Sequence, residues 1–585
     1  MDNISRRRFL ALSAITSASI AGTSASGVAL SQPRATPMRT GKPLNILMLV
    51  TDQERYMALR DMPPGYNLPA HQRLAREGVV FENHQIASNV CTPSRAVIYT
   101  GQHIQNNGMF DNTNFPWSND LSTEIDTLGD MLRREGYYTA YKGKWHLNDD
   151  FETINDIHAP RQLLADEMEE YGFSDYFGIG DIIAHTEGGY LHDDVISAMS
   201  RSWLRGRGEQ LRRDDKPWFM AVNLVNPHDV MYYNTDLPDQ NEQTKRAMMR
   251  LNREPSAAVY QNNWPLGLPA SRNQSLMEPG RPAAHLEYRE SRGALVGVVP
   301  NVDDRWRRLN NYYMNCIRDV DQNVSEILLE LDNLGIADNT IVIYTADHGE
   351  LAGAHGLSGK GATAYREQNN VPFIIRHPHY PGNKKCSAVT SHVDIATTLL
   401  SMAGAKPTHS EVLPGKDIST LLAAPEAADF DSLRPGTLFN YNMFAYLDAE
   451  FLNSVADFFA AGGKPADIAK QGFRPNLSKR GAIRSVFDGK YKFSRYFSPQ
   501  QHHVPRTLEH LYGGNDLELF DLSVDPLEMT NLAFDRKANG DIMLAMNDKL
   551  NLLIEQEVGE DIGQMLPGGV DGNWALSPDI AHLRM

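Results

Sequence analysis

The sequence predicts an α/β protein: a large domain with a mostly parallel central sheet flanked by helices, then a smaller carboxyl-terminal α+β subdomain with an antiparallel sheet. Uninterrupted apolar runs, "LNILMLV", "WFMAVNLV" and "TIVIYT", read as strands buried on both faces, as in a parallel sheet covered by helices. Helical patterns separate them, including 128–134 ahead of Gly136 and 315–334 ahead of Gly335. Such alternation defines an α/β layer architecture. Beyond about Leu433 the pattern changes to short β-rich runs.

Taken in order, residues 1–35 read as a targeting segment and linker. Arg6 and Arg7 precede Phe9 and Leu10, and a mildly apolar run rich in Ala, Ser and Thr continues to Val28. That run is too short and polar for a good membrane span. It resembles a twin-arginine signal, with Ala11 where lysine is commoner. The alternatives are a basic tail or an uncleaved anchor. The signal implies that the protein folds in the cytoplasm and passes folded, through the twin-arginine machinery, to the periplasm or beyond.

Residues 43–432 are expected to form the large domain. Its first strand runs into Thr51-Asp52-Gln53, the second into Asn226-Pro227-His228, the third into Asp347-His348-Gly349. Ligand sites of open α/β sheets lie beyond the carboxyl ends of strands. One such Asp or His alone would read as a turn or cap residue; converging ends point to a site. From 231 to 304 the pattern decays into Asn, Pro, Gln and Arg with Tyr260, Trp264 and Tyr288. A stretch this long without clear elements is expected to cover the pocket, with Trp264 selecting substrate, or else to be a surface insertion. Residues 433–585 form the expected subdomain: a hairpin around Asp488-Gly489, then "LELFDLSVDPLEMTNLA", a strand and a turn into a helix.

The formal charge of −17 argues against nucleic acid or an anionic membrane as partner, although a local basic pocket remains compatible with it. Three cysteines cannot build a disulfide framework. Cys316 and Cys386 either pair or remain buried thiols. The oligomeric state is not legible.

Cys91 lies in "NVCTPSRAVIYTG". Pro93 near a helix start and Arg95 would favour a thiolate, as in a cysteine hydrolase with His146 or His228 as base. Carboxylates from Asp52 and Asp347 at the same place would instead raise the thiol pKa unless a cation lies between them. Oxygen ligands from Asp52, Gln53 and Asp347 suit Ca2+, Mg2+ or Mn2+, and a thiolate is a poor partner for those ions.

"CTPSRAVIYTG" resembles the signature of the type I sulfatases, formylglycine-dependent members of the alkaline phosphatase superfamily, in which the cysteine of Cys-x-Pro-x-Arg is oxidised to formylglycine. The likeness extends through "NILMLVTDQ", "YKGKWHL", "VNPHD", "YTADHGELAGAHG" and "SGKGATAYREQNNVPFIIRHP". "SHVDIATTLLSMAGA" and "LELFDLSVDPLEMTNLA" carry it through nearly the whole mature chain.

The resemblance implies an alkaline-phosphatase-like fold. It also implies one divalent metal on Asp52, Gln53, modified Cys91, Asp347 and His348, with Ca2+ first and Mn2+ or Zn2+ as alternatives. The hydrated aldehyde supplies an oxygen nucleophile that a hard cation activates. Arg95 would hold the diol, Lys144 and Lys360 would clamp sulfate oxygens, and His146 would help collapse the intermediate. His228 would protonate the leaving oxygen, with Lys360 as substitute. A formylglycine-generating enzyme is an implied partner. Individually, Lys144 would read as a surface charge and His146 beside Trp145 as a core histidine.

Many arylsulfatases carry a second aspartate where Gln53 stands and an asparagine where His348 stands. The Asp-Gln and Asp-His pairs are similar to those of the choline-sulfatase and phosphonate monoester hydrolase branches. The implied reaction is hydrolysis of a small-molecule or saccharide sulfate monoester. The alternatives are phosphonate monoester or phosphodiester hydrolysis, or a pseudoenzyme with unconverted Cys91.

Overall fold

The computed structural model describes residues 42–569 except 116, 152–164, 179–185 and 406–412. The expected targeting segment 1–35 lies outside the described residues. The described residues form one compact unit.

Its main sheet has eight strands in the order β4-β3-β5-β1-β6-β7-β2-β8. In chain order these are β1 (Asn45–Asp52), β2 (Val79–Gln85), β3 (Tyr138–Gly143), β4 (Ser174–Phe177), β5 (Trp218–Pro227), β6 (Thr340–Ala346), β7 (Phe373–Arg376) and β8 (Lys384–Ser391). Only β7 runs antiparallel to its neighbours, β6 and β2.

The three apolar runs are β1, β5 and β6, adjacent at the sheet centre and buried at every residue. Period-2 alternation divides β1 between the two faces. Ile46, Met48 and Val50 join a cluster with Ile98, Leu128 and Leu399, whereas Leu47 and Leu49 pack with Ile196, Val324 and Ile327. Burying each such side chain contributes roughly 1.5–3 kcal/mol, so the strands that carry the polar ends are anchored from both faces. In register, Thr51 pairs with Ala346 and Asp52 with Pro227, which brings the three strand ends side by side.

The expected helix before Gly335 is longer than its apolar pattern indicated and spans Asp303–Asn333. Charged residues in "DDRWRRLNN" mask the buried Trp306 and Leu309 of its first turns. The segment expected to lack clear elements contains a helix, Ala284–Val296. Its buried face includes Tyr288, Arg292 and Leu295. A polar residue within that face dilutes the helical signature.

The second sheet has four antiparallel strands in the order β12-β11-β10-β9. They are β9 (Thr437–Tyr441), β10 (Ala482–Phe487), β11 (Tyr491–Phe497) and β12 (Asp516–Asp521). The β10–β11 hairpin turns at Asp488 and Gly489, where φ is 95°. The helix Arg536–Glu557 covers one face, with Met543, Leu550 and Leu553 against Val486, Phe493 and Leu519. Asn440 of β9 donates its N–H to Ala87 O at 2.9 Å and accepts from Ser88 Oγ at 2.7 Å. The small sheet thereby braces the chain just ahead of Cys91.

Cys91, Cys316 and Cys386 are all free and buried, so Cys316 and Cys386 do not pair. No described helix is long and apolar enough to cross a membrane.

Candidate active site

The site is assembled at the carboxyl ends of β1, β5 and β6. Asp52 is the last residue of β1, Asp347 and His348 follow β6, and His228 follows β5. Asp347 N–H donates to Thr51 O at 3.1 Å, which extends the β1–β6 ladder to the first residue of the cluster.

Cys91 begins the helix Cys91–Thr100, which is buried at every residue. Thr92 N–H, left without a partner inside the helix by its position in the first turn, donates to Asn112 Oδ1 at 3.2 Å. Thr92 Oγ1 donates to His146 O at 2.7 Å, and Ser94 Oγ donates to Asp347 O. The helix start is therefore pinned to three loops of the site. Residues four apart share a helix face, which sets Arg95 beneath Cys91. Its Nε donates to Asp347 Oδ2 at 3.0 Å and its Nη2 to Asp52 Oδ2 at 3.3 Å. Nη1 reaches Lys144 O and Asn223 Oδ1, each at 3.1 Å.

The lysines complete a ring of positive charge. Lys144 Nζ donates to Asp52 Oδ2 at 2.6 Å, both side chains being fully buried. Lys360 Nζ donates to Gln53 Oε1 at 2.7 Å and to Cys91 Sγ at 3.0 Å. Lys142, the other lysine of "YKGKWHL", instead donates to Asp175 O, away from the cluster.

Electrostatics follow from this arrangement. Burial alone would raise the Asp52 carboxyl, but Lys144, Lys360, His228 and Arg95 outweigh it and hold the group well below the usual carboxylate range. Asp347 is pushed the other way, by burial and then by the Asp52 carboxylate. The Cys91 thiol is raised to about 12, first by burial and then by Asp52, against the opposing pull of Lys144 and Lys360. At neutral pH it stays protonated, 3.8 Å from Asp52 Oδ1. That state is unsuited to the thiolate chemistry of a cysteine hydrolase.

The donor set fits a divalent cation. His348 Nδ1 lies 3.1 Å from Gly349 O, an acceptor, so Nδ1 carries the proton and Nε2 the lone pair. Burial, followed by Lys360, keeps this ring neutral. Nε2 faces Cys91 Sγ at 3.2 Å, Asp347 Oδ1 at 3.5 Å and Asp52 Oδ1 at 3.6 Å. The His348 lone pair and the carboxylate oxygens thus converge on one point, as the ligands of a single ion do. Asp52, Cys91, Asp347 and His348 present ligand atoms all within 4.8 Å of one another. Gln53 fits as well: Glu350 Oε2 accepts from its Nε2 at 2.6 Å, which turns Oε1 inward.

Asp52, Gln53, Cys91, Arg95, Lys144, Asp347, His348 and Lys360 thus form one contact network. His146 is buried beside it and contributes its backbone oxygen to the Cys91 helix. His228 lines a cavity with Cys91 and Lys360, whose other walls include Phe115, Tyr232, Met249, Leu295 and Tyr446. The 231–304 segment therefore does reach the cavity, but through Tyr232, Met249 and Leu295. Trp264 is elsewhere: its Nε1 donates to Asn315 Oδ1 at 2.9 Å and its ring meets Tyr66 edge-on. Sequence reasoning missed Asn112, Glu350 and Tyr446. Glu350 had a signal, its place three residues after Asp347 at a strand end; Tyr446 and Asn112 had none.

A family model described as Sulfatase matches residues 45–405. The chain belongs to the sulfatase family, within the alkaline phosphatase superfamily, and is a sulfuric ester hydrolase. It is 25% identical over 537 residues to an N-acetylglucosamine-6-O-sulfatase of Bacteroides thetaiotaomicron, covering 83% of this chain and 82% of that one. It is 25% identical over 520 residues to a choline-sulfatase of Rhizobium meliloti, covering 85% and 83%. A phosphonate monoester hydrolase of Silicibacter pomeroyi shares the fold, with a TM-score of 0.59 at 18% identity, over 89% of this chain and 96% of that one.

Proposed function

We propose that Cys91 is converted to formylglycine and that its hydrate hydrolyses sulfate monoesters to alcohol and sulfate. The observation that carries this reading is the convergence of Arg95, Lys144 and Lys360 on buried Cys91 and the carboxylates of Asp52 and Asp347 beside it. Thiolate chemistry has no use for Asp52 and Asp347, whereas a diol and a sulfate group require the compensation that Arg95, Lys144 and Lys360 offer.

Asp52, Gln53, Asp347 and His348, with residue 91, would hold one divalent ion. Ca2+ is the first choice, and the imidazole also admits Mn2+ or Zn2+. When bound, the ion supplies Lewis-acid activation of the nucleophile. One diol oxygen, its proton passing to the Asp347 carboxylate beside it, attacks sulfur while the bond from sulfur to the alcohol oxygen breaks. His228 delivers a proton to that leaving oxygen. Lys144 and Lys360 neutralise the sulfate oxygens as charge shifts, and Arg95 compensates the carboxylates around the diol. His146 then takes the proton of the second hydroxyl. The carbon–oxygen bond to sulfate breaks with its electron pair leaving on sulfate, and the aldehyde is restored.

The relative that acts on a 6-O-sulfated amino sugar supports a saccharide sulfate as substrate, with a small-molecule sulfate second. Hydrolysis of phosphonate monoesters or phosphodiesters is the alternative. It is favoured by Gln53, which leaves the centre one negative charge poorer than a second aspartate would. Export by the twin-arginine route rests on Arg6 and Arg7, and a Lys-Lys variant retained in the cytoplasm tests it. The main experiment is mass spectrometry of the Cys91 peptide, joined to a turnover panel of sulfate monoesters, phosphodiesters and phosphonate monoesters. An aldehyde with preferential sulfate release is expected; unmodified thiol in an active preparation overturns the nucleophile.

A further inference from the structure

The arrangement around His348 Nε2 recurs at His355. His355 is fully buried in the loop between His348 and Lys360, stacked on Tyr365 with ring centroids 3.6 Å apart. The Gln274 amide beside it has a fixed orientation, because its Nε2 donates to Glu278 Oε1 at 2.6 Å. Gln274 Oε1 therefore faces His355 Nδ1, at 2.9 Å. An amide oxygen only accepts, so Nδ1 carries the proton and Nε2 the lone pair. Burial, then Arg281 and Lys492, keeps the ring neutral, with its pKa lowered to about 3.

Among the described residues His355 Nε2 has no hydrogen-bond partner, and it points at Glu367 Oε2, which has none either. The two atoms are 3.8 Å apart. That is too far for a hydrogen bond, yet close to the roughly 3.4 Å that separates two ligands of a tetrahedral ion. Glu528 closes the third side. Its Oε2 accepts from Arg366 N at 2.8 Å and its Oε1 lies 2.7 Å from Lys492 Nζ. A carboxylate oxygen has lone-pair capacity for a further partner beyond that ammonium. The ligand atoms of His355, Glu367 and Glu528 all lie within 4.8 Å of one another, so one ion could draw them together. Lys492 lies against Glu528, and Arg281, Arg55 and Arg366 act on His355 and Glu367 from nearby; what stays unmet among the described residues is the facing pair of buried ligand atoms, His355 Nε2 and Glu367 Oε2.

We propose that His355, Glu367 and Glu528 form a second divalent-cation site, structural in role and separate from the Cys91 centre. One imidazole nitrogen and two carboxylate oxygens suit Zn2+ or Mn2+. The site ties three segments together. Glu367 O accepts from Glu350 N at 3.1 Å and Gln368 O from Gly349 N at 2.8 Å, next to His348. Glu528 belongs to the chain after β12. An ion here fastens the loop carrying Lys360 to the carboxyl-terminal sheet.

The test uses the full chain, stripped with chelator, reloaded with Zn2+ and desalted, with metal content read by plasma mass spectrometry. The expected result is an equivalent of Zn2+ that Glu367→Gln loses and Asp347→Asn retains. Zn2+ should also raise the unfolding temperature of Asp347→Asn, and should not raise that of the Asp347→Asn/Glu367→Gln double variant. Asp347→Asn holding no Zn2+, or Glu367→Gln binding as much as the parent, overturns the proposal. Circular dichroism reports whether each variant folds; should Glu367→Gln fail to fold, Glu528→Gln takes its place. The metal content of Asp347→Asn decides in either case, since a proton shared by Glu367 and His355 would leave it metal-free.

Discussion

Glu350 orients Gln53: its Oε2 accepts from Gln53 Nε2 at 2.6 Å, and this turns Gln53 Oε1 towards Lys360 and the Cys91 centre. The other oxygen, Oε1, accepts from Ala352 N at 2.8 Å and Gly359 N at 2.6 Å. Replacing Glu350 by Ala strands those buried donors, at a cost of about 1–3 kcal/mol each. It also frees the Gln53 amide to turn over. Chemical denaturation should show the stability loss, and metal titration should show affinity falling by roughly 10–100-fold, as for other residues that orient a ligand.

On the proposed chemistry, Cys91→Ala removes the precursor of the nucleophile. Turnover should fall to the detection limit, while the far-ultraviolet circular dichroism stays that of the parent. Turnover at the parental level would refute the role given to residue 91.

His228 should matter in proportion to the difficulty of the leaving group. His228→Ala is expected to slow hydrolysis of alkyl or saccharide sulfates by about 10²–10⁴. Nitrophenyl sulfate, whose leaving oxygen needs little protonation, should lose much less. Equal losses in kcat/KM across both substrates would assign the proton to another group.

A pH dependence follows from His71. Its Nδ1 lies 2.6 Å from Asp321 Oδ1 and its Nε2 lies 2.7 Å from Glu54 Oε1, so both nitrogens donate. Burial opposes the charge, but Glu54 and Asp321 prevail and raise the folded-state pKa to about 10. The unfolded value is about 6.5. A raised folded pKa contributes stability that is complete below about pH 6.5 and declines as pH climbs towards 10. Urea midpoints should fall across that alkaline window, and His71→Gln should be less stable at neutral pH with a flatter profile there.

Much of the site could be read in advance because its parts sit at the ends of strands buried on both faces. An apolar run that stops at Asp52 or Asp347 marks a boundary that local sequence encodes. Arg95 was legible for a similar reason, four residues after Cys91 on a short helix. The helix Ala284–Val296 was not, because Arg292 and Ser291 on its buried face break the apolar period. Trp264 lies in the segment expected to cover the pocket, whereas packing against Tyr66 and Asn315 decides its position. Tyr446 approaches Cys91 from more than three hundred residues away in sequence. That approach depends on how the smaller sheet docks, which no local pattern encodes.

The burial of the whole Cys91–Thr100 helix has a temporal meaning. A modifying enzyme cannot grasp a cysteine whose flanking residues are all enclosed by folded protein, so on the proposed chemistry oxidation must come first. A molecule that folds with its thiol intact is locked out of later conversion. The active fraction of any preparation then records a race between oxidation and folding, and slowing the folding of the nascent chain should enrich the aldehyde.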